Sequence, residues 1–348
     1  MTPKQRFLAS LDLETPDRLP VMYQHLGGAD ALQAATGLTI GESFTDPAKF
    51  AELSLASHRL FGFDNVMAGW GDLLVEASAF GAKLHFTSDR QYPREESLPM
   101  DKVDQLVEVD PIQHPQWSVP LRSAKLMNER LGNEVLVLGC SSSPFIVAGS
   151  VVGYENLLVA QMTEPETAHG LLRKISSSIA AYMEELVDFA GLEAVFVSDA
   201  LADAEQNTLV LSQEFDITYT RRVVEAARKA GLRVIVHNCS ESPYAKEEVD
   251  EYRPNAVHLP ARWRGLSEMA ERLRGRCGLA AGIDHRTLIY RAAPDEIAAE
   301  TERVVKELAG LPGLILAPAC ELAFDTPIDN VLAFVESGHS LTLEGRRA

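Results

Sequence analysis

The feature that most constrains the fold is a recurrence. Short runs of apolar and β-branched residues are each followed by a longer stretch with helical spacing. The runs are Leu19–Met22, Asn65–Ala68, Glu134–Leu138, Glu193–Val197, Leu232–Val236, Ala256–Leu259, Gly278–Gly282 and Gly313–Leu316, eight in all. Strands that are apolar throughout need cover on both faces, and helices wrapped around a parallel sheet supply it. Phe215–Ala230 reads as such a helix, with apolar residues three and four apart and Gly231 placed to end it. Pro294–Leu311 and Pro327–Val335 open on a proline, which the first helical turn tolerates. Eight strand–helix units in 348 residues predict an α/β fold of the (β/α)8 TIM-barrel kind. A doubly wound open sheet is the competing arrangement, but neither GxGxxG nor GxxxxGKS/T follows a strand.

No linker, repeat or low-complexity tract interrupts the pattern, so residues 1–348 read as a single barrel domain with a short N-terminal helical extension. Met1 to Leu11 lacks the apolar core of a secretory signal, and no run is long and apolar enough to span a bilayer. The expectation is a cytoplasmic protein with no membrane partner. Acidic residues outnumber basic ones 50 to 32, a net charge of −18. That balance argues against nucleic acid or anionic lipid, both of which demand a basic face.

Four cysteines in so long a chain do not make a disulfide framework, so each needs its own explanation. The strand ends are followed by Asp72, Cys140, Asp199, His237, Asp284 and Cys320. In a barrel these positions surround the C-terminal mouth, where catalytic groups gather from different strands. His237 and Cys239 flank Asn238 at the end of an apolar run, and side chains two apart on an extended segment share a side. Cys320 comes after a later apolar run. Two thiolates and one neutral imidazole suit Zn²⁺, and three protein ligands leave a fourth position open. Buried core cysteines are the competing explanation on spacing alone.

The His237-Asn238-Cys239 triplet, joined downstream by the segment Ala319-Cys320-Glu321-Leu322 through Thr326-Pro327-Ile328-Asp329-Asn330, resembles the methylcobamide:coenzyme M methyltransferases. Those enzymes carry HxC and then a cysteine in GCxLxxxTPxxN. Phe61 to Val66, Val75-Glu76-Ala77 and Gly81-Ala82 extend the likeness. The opening Thr15-Pro16-Asp17-Arg18-Leu19-Pro20-Val21 is similar to that of uroporphyrinogen decarboxylases. The resemblance implies a uroporphyrinogen decarboxylase-like barrel with zinc on His237, Cys239 and Cys320. It also implies methyl transfer between a corrinoid (methylcobalamin) carried by a partner protein and a small acceptor, a thiol such as coenzyme M or a folate. Ala319 departs from the glycine usual in that motif.

A decarboxylase is the competing enzyme, since Gly71-Asp72-Leu73-Leu74-Val75 resembles its Ser-Asp-Ile-Leu-Val. That family, however, places two arginines just after the opening Pro-Val. Here His25 and Ala29 stand near those positions, and Leu19 to His58 contains no arginine and one lysine, Lys49. A non-catalytic zinc-bearing partner of a corrinoid protein is the third reading. Asp72 and Asp284 are the candidate catalytic carboxylates, Asp284 with a helix cap as its alternative role. Tyr154 and Asp199 are candidate cofactor-binding residues, and Glu76 a candidate outer ligand. Cys277, His169, His258 and His339 read as structural.

Overall fold

The computed structural model describes residues 1–69, 74–131, 134–260, 266–308 and 310–341. Seven parallel strands form one sheet in the order β1 (Asn65–Ala68), β4 (Leu136–Ser142), β5 (Ala194–Ser198), β6 (Arg233–His237), β7 (Ala256–His258), β8 (Gly278–Ala281) and β9 (Leu314–Leu316). A two-stranded antiparallel hairpin, β2 (Lys83–His85) with β3 (Arg94–Glu96), stands apart from this sheet. All seven barrel strands lie on expected runs, and β1 matches its run end to end. The largest departure is at β4, which continues through Gly139-Cys140-Ser141-Ser142.

The eighth run, Leu19–Met22, departs from the expectation, because it forms no strand. It makes one isolated parallel bridge, Val21 to Leu316. Backbone hydrogen bonds nevertheless seat it between the two outer strands: Leu316 N donates to Pro20 O, Met22 N to Leu316 O, and Asp64 N to Val21 O. Pro20 has no N–H to give, which limits a ladder there. Side chains take over the work. Buried Asp64 accepts from Val21 N, Arg6 and Arg18, while the Asn65 amide both accepts from Tyr23 N and donates to Tyr23 O. The barrel is thus closed by carboxylate and amide pairing on one side of the run.

The core has two parts, as a barrel wrapped by helices requires. The inner one contains Met67, Leu138, Cys140, Phe196, Ile235 and Ile315, and Phe7 and Leu11 of the helix Pro3–Leu11 belong to it. That helix closes the floor: Lys4 N donates to Glu134 O, and Asn255 reaches Leu11 O, both at the starts of strands. The larger outer core lies between strands and helices, where Cys277 is buried. Phe215–Ala230 is an α-helix only from Thr218; Gln213–Ile217 winds as a π-turn before it, and Gly231 ends it in the left-handed conformation. The C-terminal helix runs Ile328–Ser340, five residues beyond its expected end. No single helix among the described residues is long and apolar enough to cross a membrane.

Candidate metal centre

β6 ends at His237, and the loop beyond it is held by Asn238. The Asn238 side chain is fully buried; it donates to Ala202 O and Glu248 Oε1 and accepts from Ser240 N and Oγ. Its backbone N–H goes to His258 O on β7. With Asn238 locked behind the strand ends, the side chains on either side of it both face the barrel mouth. Cys320 is brought in from β9. Ala317 N and Ala319 N donate to Ala281 O and Ile283 O, and the His258 ring contacts Pro318 O at 2.8 Å. Gly27 lets the chain lie against this loop, since a Cβ there would sit 2.9 Å from Leu322 N.

The result is a cluster in which the ligand atoms of His237, Cys239 and Cys320 all lie within 4.8 Å of one another. His237 Nε2 is 3.8 Å from Cys320 Sγ. Sulfur and nitrogen ligands of a tetrahedral zinc, at about 2.3 and 2.0 Å from the ion, stand about 3.6 Å apart. The donors therefore fit a tetrahedral ion in both chemistry and spacing. Gln24 Nε2 stands 3.4 Å from the same His237 nitrogen. The two thiols differ in acidity. A hydrogen bond from Cys320 holds the Cys239 thiol below the usual range against the opposing effect of burial, while Cys239 and burial push Cys320 up.

A cavity of about 450 Å³ opens over the cluster. The Phe196 ring, on β5, packs against the imidazoles of His237, His258 and His25, at centroid distances of 5.1, 6.1 and 5.6 Å. His25 adopts a left-handed backbone (φ 51), uncommon outside glycine, and lines the cavity with its Nδ1 3.7 Å from Cys140 Sγ. Burial and the neighbouring His237 push its pKa down to about 3, so the ring is neutral. Glu76 is buried, with Oε1 accepting from Ser141 Oγ and Ser142 N and Oε2 without a partner among the described residues. Burial raises its pKa to about 8.

The other expected residues have more varied surroundings. Tyr154 lines the cavity, opening a helix and reaching Ser150 Oγ and Ile146 O. Asp199 is fully buried behind the strand ends. Its N–H donates to His237 O and its carboxylate accepts from Tyr252 Oη at 2.6 Å. It belongs to a buried acidic group in which burial and the Asp199 charge push the carboxyls of Asp216 and Glu248 well up. Asp284 caps the turn His285–Ile289, Oδ1 accepting from Arg286 N, Thr287 N and Thr287 Oγ1. Asp72 lies outside the described residues. Asn238, Gln24, Phe196, Glu321 and Glu95 are contributors that sequence reasoning missed. Glu95 comes from the β2–β3 hairpin, whose three-residue strands are too short to leave a periodic signal.

A barrel of parallel strands with a His/Cys/Cys cluster at its mouth defines a class, the α/β barrels, here with three donors that could hold a metal ion. The family is fixed by comparison: the uroporphyrinogen decarboxylase (URO-D) family model matches residues 2–341, and the chain belongs to that family. Among curated proteins it is 23% identical to the methylcobamide:CoM methyltransferase MtbA of Methanosarcina mazei, over 96% of this chain and 97% of the relative. It is 26% identical to a uroporphyrinogen decarboxylase of Anaeromyxobacter dehalogenans, over 96% and 98%. Among solved structures, a methyltransferase from Methanosarcina mazei superimposes with a TM-score of 0.87 at 22% identity, covering 97% of this chain and 98% of the other.

Proposed function

We propose that this chain is a zinc-dependent methyltransferase that moves a methyl group between a corrinoid held by a partner protein and a small acceptor, a thiol in the first instance. The observation that carries this reading is the convergence of His237, Cys239 and Cys320 beside a cavity of about 450 Å³. The relatives named as methyltransferases support methyl transfer as the reaction class. A zinc ion on these three residues would lower the pKa of a thiol at its fourth position and keep it as the nucleophilic thiolate.

The chain's own residues do the rest. Asn238 holds His237 at the end of β6 and Cys239 just beyond it in register, and the Phe196 ring with its three imidazoles makes a buried aromatic floor below the cluster. The size of the cavity suits a small acceptor. The barrel mouth is the face a corrinoid protein would have to approach.

The relative named as a decarboxylase raises the competing reading. A polycarboxylate substrate calls for arginine forks. Here Arg6 and Arg18, the arginines flanking the closing segment, are committed to Asp17 and Asp64 and hold the barrel shut. The test is to incubate the purified protein anaerobically with methylcobalamin and a series of thiols and folates, monitoring loss of the methyl–cobalt absorbance. Acceptor-dependent loss, abolished in Cys239→Ala, is expected. Methylcobalamin left intact by every acceptor, together with decarboxylation of uroporphyrinogen in a parallel incubation, would replace this reading with the decarboxylase.

A further inference from the structure

The cavity wall above the cluster is polar and carries negative charge. It presents two carboxylates, Glu95 and Glu321, with hydroxyls from Ser142, Ser150 and Ser198, and neither lysine nor arginine among its described lining residues. Glu321 is fixed in place, Oε1 accepting from Tyr92 Oη at 2.8 Å and from Leu26 N. Glu95 lies on β3 opposite Leu84, and its carboxylate makes no hydrogen bond or ion pair among the described residues. Alternation along the strand explains the difference from its neighbours. Glu96 points to the other face, where it takes both Lys83 and His85. Lys83 and His85 are therefore engaged away from the cavity, and Arg94, two residues before Glu96, shares that outer face.

We propose that Glu95 is a specificity-determining residue that makes this cavity accept thiols whose far end is neutral or cationic and reject those with an anionic tail. The inference rests on the thiol-acceptor reading above and narrows it to a substrate class. A thiol bound at the cluster leaves its other end in a cavity walled by an unpaired carboxylate, so a tail of like charge is repelled and an ammonium attracted. At the effective dielectric of a partly open site, such a contact changes affinity by about tenfold.

The test uses three thiols of one length, HS–CH2–CH2–X, with X an ammonium (2-aminoethanethiol), a hydroxyl (2-mercaptoethanol) or a sulfonate (2-mercaptoethanesulfonate). Binding is read from the sulfur-to-metal charge-transfer absorbance of the cobalt(II)-substituted protein, which needs no corrinoid and no turnover. The ratio of ammonium to sulfonate affinity is compared among wild type, Glu95→Gln and Glu95→Lys, so that differences in intrinsic thiol acidity cancel. Wild type is expected to favour the ammonium. Glu95→Gln should shrink the ratio several-fold, and Glu95→Lys should reverse it, at unchanged metal content. A wild-type preference for the sulfonate, or one ratio shared by all three proteins, overturns the role of Glu95 and leaves the methyltransferase reading standing. Failure of every thiol to perturb the metal spectrum overturns both.

Discussion

Cys239 and Cys320 occupy one cavity yet hold their protons with unequal strength, because the hydrogen bond between them stabilises the Cys239 thiolate at the expense of Cys320. As metal ligands both sulfurs would have to be thiolates, and Cys320, the less acidic of the two, holds its proton the more tightly. Metal binding removes that proton, so affinity should rise with pH. Cys277 offers the internal contrast. Buried in the outer core, with its thiol pushed up to about 12 mainly by desolvation, it has neither partner ligand nor thiolate character. Metal analysis of the purified protein should accordingly find about one zinc per chain. Cys239→Ala and Cys320→Ala should each lose most of it, whereas Cys277→Ala should keep it. Full retention in both of the first two variants would move the metal elsewhere or remove it from the reading.

At the scale of elements, the loop after β6 does the positioning and Asn238 is its anchor. One amide makes four hydrogen bonds, tying the loop to Ala202, Glu248 and Ser240. Asn238→Ala strands buried partners, Glu248 among them, at a cost of about 1–3 kcal/mol. Residues that orient metal ligands typically matter about 10–100-fold in metal affinity. Zinc competition with a chromophoric chelator should show a loss in that range, with the three ligands still present. Wild-type affinity in this variant would show that the strand alone sets the geometry. The closing segment Leu19–Met22 illustrates the same principle on the backbone. It reads as a strand and is placed as one, but its neighbours' side chains, Asp64 and Asn65, supply the pairing that a full ladder would.

For the whole molecule, Glu76 links the site to stability. Its folded-state pKa of about 8 lies above the ordinary 4.5 because burial penalises the charged form. Between those two values the unfolded chain has released the proton that the folded chain retains. The folded state binds more protons over that window, so stability must fall as pH rises through it. Each pKa unit of separation corresponds to about 1.4 kcal/mol. Denaturant titrations from pH 5 to pH 8.5 should show this decline in wild type, and Glu76→Gln should flatten it and be the more stable protein at the alkaline end. Parallel curves for the two proteins would mean that Glu76 is ionised in the folded state.

Chain periodicity by itself determined the class of fold and the location of seven strands, since a fully buried parallel strand must be apolar along its whole length wherever it lies. The spacing of His237 and Cys239 was equally legible, because alternation along an extended segment is a local property. Tertiary structure decided what depends on long-range approach. It brought Cys320 to within 3.8 Å of His237 across 83 residues of chain. It turned Asp199 into a buried acidic group, assigned Asp284 to a helical cap, and carried Glu95 to the cavity on a hairpin outside the main sheet. A side chain at a strand end has two directions available to it. Which one it takes is fixed by the packing and hydrogen bonding of neighbours distant in sequence, and no local pattern records that choice.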